Sequence, residues 1–195
     1  VAIGHVHPRH VKRNSGAEPG DRIVLGKPLG VGIYGAAIKK QQLTDAEYGE
    51  LIATTTQLNT PGMPLGRLGG VHAMTDVTGF GLLGHLLEIC NGSGVAATVR
   101  WNAVPMLDHA RDLIAAGFVT GGSTRNWQSY GDAVDLTAHG GVERALLTDP
   151  QTSGGLLVCC APEAVDDVLG TFDDEGFRHA AVIGGVTSGA GVVVE

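Results

Sequence analysis

A strand signal that leads directly into a helix signal is the feature that most constrains the fold of this chain. Val71 to Val77 is a strand candidate, and Thr78-Gly79-Phe80-Gly81 follows it. Apolar residues then recur over 82–89 at the spacing of one helix face. A helix and a strand must each bury an apolar face against another layer. The sequence therefore predicts helices packed on a sheet.

The remaining elements follow in an irregular order. Further strands are predicted at 1–6, 22–25, 31–33, 95–101, 156–160, 180–186 and 191–194, and further helices at 45–59, 107–116 and 162–175. Thr44-Asp45-Ala46-Glu47 is a capping box that begins the first helix. Gly121 to Gly131 is predicted to be a long polar loop. This mixture predicts an α+β fold with a layered α/β arrangement.

Residues 12–20 are rich in linker and turn residues, which predicts a domain boundary near Gly20. We expect residues 1–20 to be a strand and linker left from a preceding domain, and residues 21–195 to form the domain itself. The first residue is Val1 rather than Met, and the first six residues alternate like a strand. These features lead us to expect a piece of a longer protein.

Charge and composition exclude several classes of protein. The net charge is −7 and the Lys and Arg residues are dispersed, so the sequence has no footprint for a nucleic-acid backbone. No apolar run approaches the ~18 residues of a membrane span. The three cysteines form neither a disulfide framework nor a CxxC pair, which favours a reducing cytoplasm.

The segment from Met74 to His85 places the Asp76 carboxylate at a strand end and glycines at a helix start. The N–H groups of a helix N-terminus favour phosphate, and Mg²⁺ takes carboxylate oxygens alongside substrate phosphates. The sequence therefore predicts a site for Mg²⁺ and a phosphate group. The alternative is that Asp76 or Thr78 only caps the helix.

Two further segments could contact an anion. The loop Gly121-Gly122-Ser123-Thr124-Arg125-Asn126 offers hydroxyls, a guanidinium and an amide, which suit phosphate, although Arg125 could equally be a solvated structural residue. Asp149-Pro150-Gln151-Thr152-Ser153-Gly154-Gly155 could form a nest of backbone N–H groups. A tight turn that leads into a buried strand explains this second segment equally well.

The other reactive side chains have structural interpretations. His85 lies within the helix pattern and is expected to be a hydrogen-bonded structural residue. The three cysteines lie in apolar surroundings and are expected to be inert packing. Near the N-terminus, histidines at strand-like spacing are expected to lie on a partly exposed face; they are His5, His7 and His10.

Three of these segments together resemble the selenophosphate synthetase family, in the same order along the chain. They are Ala73 to His85, Gly121 to Asn126, and Asp149 to Leu157. Lys27-Pro28-Leu29-Gly30 also resembles that family's entry to its C-terminal domain. The resemblance covers about Ala2 to Val186. The larger group that contains this family includes aminoimidazole ribonucleotide synthetase, thiamine monophosphate kinase and a hydrogenase maturation protein.

The resemblance implies a C-terminal domain of the aminoimidazole ribonucleotide synthetase type, with a mixed sheet flanked by helices. It implies a Mg²⁺-dependent, cytoplasmic homodimer that makes selenophosphate, AMP and phosphate from ATP, selenide and water. Asp76 matches the one metal-binding carboxylate that the C-terminal half contributes. The residues that match motifs of the ATP site are Thr78, Gly79, Arg125, Asn126, Thr152 and Ser153.

Several parts of the family pattern have no counterpart here. The glycine-rich N-terminal segment, the Cys or selenocysteine nucleophile with its Lys, and the other magnesium-binding aspartates of the family all precede Val1. We therefore expect no catalytic residue in this chain, which would be inactive without an N-terminal partner domain. The alternatives are a related ATP-dependent enzyme, such as aminoimidazole ribonucleotide synthetase, and a non-catalytic interaction module of the same fold.

Overall fold

A mixed sheet of seven strands runs through the computed structural model, which describes residues 4–195. The strand order is β2-β5-β1-β6-β3-β7-β4. Pairing is antiparallel from β2 through β3, and parallel between β3 and β7 and between β7 and β4. The strands are β1 (Arg22–Leu25), β2 (Val71–Asp76), β3 (Ala96–Val99), β4 (Val134–Asp135), β5 (Leu156–Cys160), β6 (Ala181–Thr187) and β7 (Gly191–Val194).

Eight α-helices accompany this sheet in the described part of the chain, which confirms the predicted fold class. They are α1 (Val31–Ile38), α2 (Asp45–Thr56), α3 (Gly62–Leu65), α4 (Gly81–Ser93), α5 (Ala110–Ala115), α6 (Gly121–Tyr130), α7 (Gly141–Leu147) and α8 (Val165–Asp174). Short 3-10 turns precede α8 and join several other elements. Within residues 4–195 no helix is both long and apolar enough to span a membrane.

Apolar side chains that point alternately to the two faces of the sheet form one apolar core on each face. In β5, Leu157 and Cys159 belong to the larger core, while Val158 and Cys160 belong to the smaller one. Successive residues of a strand point to opposite faces, so the two cores lie on opposite sides. Helix α4 packs in the larger core and α8 covers the smaller one, where Phe172 is fully buried.

The cysteines are free and buried, as the sequence predicted. Burial raises the pKa of Cys90 and the pKa of Cys160 to about 11, and raises that of Cys159 further. A thiol with a raised pKa holds little of the reactive thiolate at neutral pH. These side chains therefore fill the core.

Two predicted elements within residues 21–195 have a different secondary structure in the protein. The predicted strand at Val31–Ile33 is the first turn of α1, and the predicted loop at Gly121–Gly131 is α6 followed by a 3-10 turn. Helix α6 has few apolar residues, which concealed its periodicity. Its start is fixed by Thr120, whose side-chain oxygen accepts a hydrogen bond from the Ser123 N–H at 3.0 Å.

The N-terminal segment lies along β2. The Met74 N–H donates to the Arg13 carbonyl at 3.1 Å, and the Lys12 Nζ donates to the Leu68 carbonyl at 2.8 Å. Residues 12–17, which the sequence predicted to be part of a linker, thus cover the edge strand of the sheet. The predicted first strand falls partly outside the described residues, and residues 4–6 are not in a strand.

The predicted capping box of α2 is confirmed, and it is a local source of helix stability. Thr44 Oγ1 accepts from the Glu47 N–H at 3.3 Å, and Glu47 Oε2 accepts from the Thr44 N–H at 2.7 Å. Leu51 is the one buried residue of this helix. Because packing contributes so little, α2 depends strongly on its cap.

We expect Thr44→Ala to destabilise α2 by about 1 kcal/mol. Amide hydrogen exchange in the first turns of α2 should become faster, because the Glu47 N–H and the Glu47 carboxylate both lose the Thr44 hydroxyl as a hydrogen-bond partner. Thr56→Ala is the matched control at the other end of the helix, where the Thr56 hydroxyl only donates back to the Ile52 carbonyl. Equal exchange in both variants would contradict a stabilising role for the capping box.

Candidate functional site

The sheet topology brings the sequence motifs to one end of the sheet. Asp76 at the end of β2 pairs with Leu156 at the start of β5, and Leu25 at the end of β1 pairs with Leu157. The antiparallel register therefore places the segment after β2 and the segment after β1 beside the loop 149–155. These three segments form the candidate site.

Close backbone contacts fix the segments to one another. The Val77 N–H donates to the Gly155 carbonyl at 2.9 Å, and a Cβ on Gly154 would collide with the Val77 carbonyl oxygen. Gly81 has a φ of +68°, and a Cβ there would lie 2.7 Å from the Thr148 carbonyl carbon. Glycine is required at both positions because no side chain fits.

Asp76 is exposed at the edge of the sheet. Among residues 4–195 its carboxylate has no salt bridge or side-chain hydrogen bond, so its oxygens are available to a ligand. The alternative, that Asp76 or Thr78 is only the cap of α4, is wrong, because the N-cap residue is Phe80 and its side chain makes no capping hydrogen bond.

Thr78 is the first residue of a chain of side-chain hydrogen bonds. Thr78 Oγ1 lies 3.1 Å from His85 Nε2, and His85 Nδ1 lies 3.1 Å from Glu88 Oε2. His85 is buried, while Glu88 is exposed. The predicted structural histidine is therefore confirmed, with both ring nitrogens in hydrogen bonds.

Helix α6 contributes one buried and one exposed polar residue. Asn126 Nδ2 donates to the Gly79 carbonyl at 2.9 Å and to the Thr148 carbonyl at 3.0 Å. Asn126 thus joins the segment after β2 to the end of α7. Arg125 is exposed and makes no salt bridge within the described residues, so its guanidinium is available to an anion.

The loop 149–155 caps helix α1 with side chains. Asp149 Oδ2 accepts from the Gly32 and Ile33 N–H groups at 2.9 and 3.2 Å. Gln151 Oε1 accepts from the Gly30 and Val31 N–H groups at 3.3 and 3.2 Å. These bonds satisfy the first backbone donors of α1, which would otherwise lack partners. In this loop Asp149 and Gln151 are buried, and Thr152 and Ser153 are exposed.

Two opposing effects act on the Asp149 carboxyl group. Burial raises the pKa of Asp149 to about 7, against the lowering effect of its hydrogen bonds with Ile33, Gln151 and Gly32. Burial has the larger effect on this pKa, and it acts by disfavouring the charged form of the acid. The group therefore titrates near neutrality although it contacts a helix N-terminus.

Lys27 is a buried cation held by backbone oxygens. Its Nζ donates to the carbonyls of Thr54, Gln57 and Ser153 at 3.2, 2.6 and 2.7 Å. Two of these carbonyls come from the end of α2, where the helix dipole favours a positive charge. Burial lowers the pKa of Lys27. This side chain fastens α2 to Ser153, which has an uncommon φ of +52°.

The donor set suits a magnesium ion only in part. Within the described part of the chain, no group of three or more His, Cys, Asp or Glu side chains could enclose a metal. Mg²⁺ is commonly bound through one or two carboxylates together with water and substrate phosphates. Asp76 fits such an ion as a single ligand, and the remaining ligands would come from elsewhere.

Comparison with known proteins decides the family. A sequence model described as "AIR synthase related protein, C-terminal domain" matches residues 18–195. The chain belongs to this family. The match covers all seven strands and all eight helices of this AIR synthase related domain.

Two curated relatives share one name. The chain is 59% identical over 191 residues to "Selenide, water dikinase" of Dechloromonas aromatica, which covers 97% of this chain and 55% of the relative. It is 58% identical over 191 residues to the protein of the same name from Burkholderia pseudomallei, covering 97% and 54%. The AIR synthase related domain thus spans about half the length of these relatives.

Solved structures share the fold. Thiamine-monophosphate kinase from Stenotrophomonas maltophilia K279a superposes with a TM-score of 0.68 at 24% identity, covering 97% of this chain and 54% of that one. Hydrogenase maturation protein HypE in complex with ATP gives a TM-score of 0.65 at 21% identity, covering 94% and 50%. At these identities the likeness establishes the architecture alone.

We expect Lys27→Met to lower the free energy of unfolding by about 3 kcal/mol, because three carbonyls lose a donor. Urea denaturation measures this change. Lys39→Met is the control, since Lys39 is exposed beyond the end of α1. A loss no larger than in the control would show that the buried ammonium does not stabilise the fold.

We expect Asp149 to make stability depend on pH. Between its ordinary pKa of 3.8 and its folded pKa of about 7, the folded protein holds a proton that the unfolded chain releases. The free energy of unfolding contributed by this group therefore falls as pH rises from about 4 to about 7. Urea denaturation of the wild type and of Asp149→Asn at several pH values should show this slope only in the wild type. Asp174→Asn, at an exposed position, should leave the slope unchanged.

Proposed function

We propose that this AIR synthase related domain is the C-terminal part of a selenophosphate synthetase, which makes selenophosphate, AMP and phosphate from ATP, selenide and water. The observation that carries the proposal is the 59% identity to a selenide, water dikinase over 97% of the chain. With 97% of the chain aligned, the comparison includes every segment of the candidate site. The proposed setting is the cytoplasm, in a homodimer with ATP and selenide as substrates.

In the proposed site Asp76 is the ligand of Mg²⁺, because its carboxylate is exposed and lacks a partner within residues 4–195. Magnesium would neutralise charge on the phosphates of ATP. On one side of the site, ATP or the Mg²⁺ bound to it would be contacted by Thr78, Gly79 and Arg125. Thr152 and Ser153 are exposed and would contact the phosphates from the loop 149–155.

Asn126 has a different role in this proposal from the one that the sequence suggested. Its amide N–H groups are occupied by the carbonyls of Gly79 and Thr148. Asn126 would therefore position Gly79 rather than bind ATP itself. It holds the segment after β2 in the conformation that presents Asp76 and Thr78.

We propose that this chain is inactive alone. Phosphoryl transfer depends on positioning and on neutralisation of charge around the phosphates. One carboxylate and one exposed guanidinium supply part of that environment, and the cysteines are buried with raised pKa values. A preceding domain would supply the nucleophile and the other magnesium-binding aspartates.

The proposal is tested by joining the upstream half of the Dechloromonas aromatica relative to this chain. Phosphorus NMR of the chimera with Mg²⁺ and ATP, with and without selenide, should show selenophosphate and AMP only with selenide. Turnover that ignores selenide would indicate a related ATP-dependent enzyme. A folded chimera without any turnover would indicate a non-catalytic module. AMP formation by the chain alone would contradict its proposed inactivity.

Asp76→Asn in this chimera should lower turnover by at least about 100-fold, since loss of an outer-shell partner of a metal already costs about 10- to 100-fold. Asn keeps the shape of the side chain and removes its charge. The thermal unfolding temperature should be unchanged, because the Asp76 side chain makes no hydrogen bond or salt bridge within residues 4–195. Asp174→Asn serves as the control. Unchanged turnover in the Asp76 variant would remove this residue from the site.

A further inference from the structure

Two hydrogen bonds connect the exposed Glu88 through His85 to Thr78, which follows Asp76 by two residues in the sequence. Both hydrogen bonds are 3.1 Å long, and the histidine between them is 7% exposed. The Phe80 ring packs against the His85 ring with centroids 5.6 Å apart. The imidazole is thus held on its flank as well as at both nitrogens.

The Glu88 carboxylate determines which atom donates and which accepts in these two hydrogen bonds. A carboxylate can only accept hydrogen bonds, so Glu88 requires a proton on His85 Nδ1. A neutral imidazole with a proton on Nδ1 has an acceptor at Nε2. Thr78 must then donate its one hydroxyl proton to Nε2.

The hydroxyl oxygen of Thr78 is left with lone pairs only. Thr78 is half-buried, so part of this residue is exposed to solvent. An oxygen in this state accepts from water or contacts a cation, and it repels the acceptor oxygens of a phosphate. Thr78 follows Asp76 by two positions, and the span of an extended chain keeps their Cα atoms within about 7 Å.

We propose that Glu88 and His85 are positioning residues that orient the Thr78 hydroxyl to accept a hydrogen bond from water on the magnesium ion. This inference rests on the proposed function, because it assumes that Asp76 binds Mg²⁺. It assigns Thr78 to the hydrated metal rather than to the phosphates. Bound magnesium usually keeps several waters, and these are hydrogen-bond donors.

The direction of the hydrogen bonds between Glu88, His85 and Thr78 is tested first, by NMR of the 195-residue protein labelled with ¹⁵N at histidine. At pH 8 the His85 ring should show a protonated Nδ1 and an unprotonated Nε2. Glu88→Ala should redistribute the proton between the two nitrogens, and Asp174→Ala, at an exposed position on α8, should not. A proton on Nε2 in the wild type would overturn the proposal.

The metal contact is tested in the chimera, whose upstream half would supply the other magnesium ligands, by titrating it with MgCl₂ and following the amide shifts of residues 76–79. Thr78→Val keeps the size of the side chain, removes the hydroxyl and should weaken Mg²⁺ binding about 10-fold. Thr78→Ser should restore it. Inorganic phosphate without metal should leave these shifts unchanged, and a phosphate response lost in Thr78→Val would overturn the assignment.

The outcomes separate this inference from the proposed function. Loss of Mg²⁺ shifts in Asp76→Asn, with wild-type binding in Thr78→Val, would refute the role of Thr78 and leave the magnesium site intact. No Mg²⁺ response in the wild-type chimera would contradict the metal contact itself. Selenide-dependent turnover of the chimera would still decide the proposed function in either case.

Discussion

The rest of the site depends on the hydrogen bonds that the Asp149 and Gln151 side chains accept from the first backbone N–H groups of α1. Asp149 and Gln151 bond to backbone N–H groups that lie 116 to 121 residues earlier in the sequence. These bonds tie the segment after β1 to the loop before β5. Because that loop also contacts the segment after β2, one set of buried polar bonds holds all three parts of the site in register.

The elements that could be predicted are those whose signals are local. The Thr44 capping box, the strand at Leu156–Cys160 and the helix after Gly81 depend on neighbouring residues, and the structure contains them. The start of α1 could not be predicted, because its caps come from the distant residues Asp149 and Gln151. An apolar run such as Val31–Ile33 fits a strand or a helix until the partners of its N–H groups are known.

The candidate site shows the same division. Asp76 could be proposed as a site residue from the sequence, because a carboxylate between a strand and a glycine-rich turn is a local pattern. Lys27 was not, since its partners are backbone carbonyls that no sequence pattern marks. Asn126 was found as a motif residue, but the buried bonds that give it a positioning role require the packing of α6 against the turn before α4.

The position of residues 12–17 along β2 has a consequence for protein solubility. An uncovered edge strand offers its free N–H and C=O groups to other chains and promotes aggregation. The family match begins at residue 18, so a recombinant domain cut at that boundary would lose the segment that pairs with Met74. The outer edge of the strand that carries Asp76 would then become a template for intermolecular β-pairing.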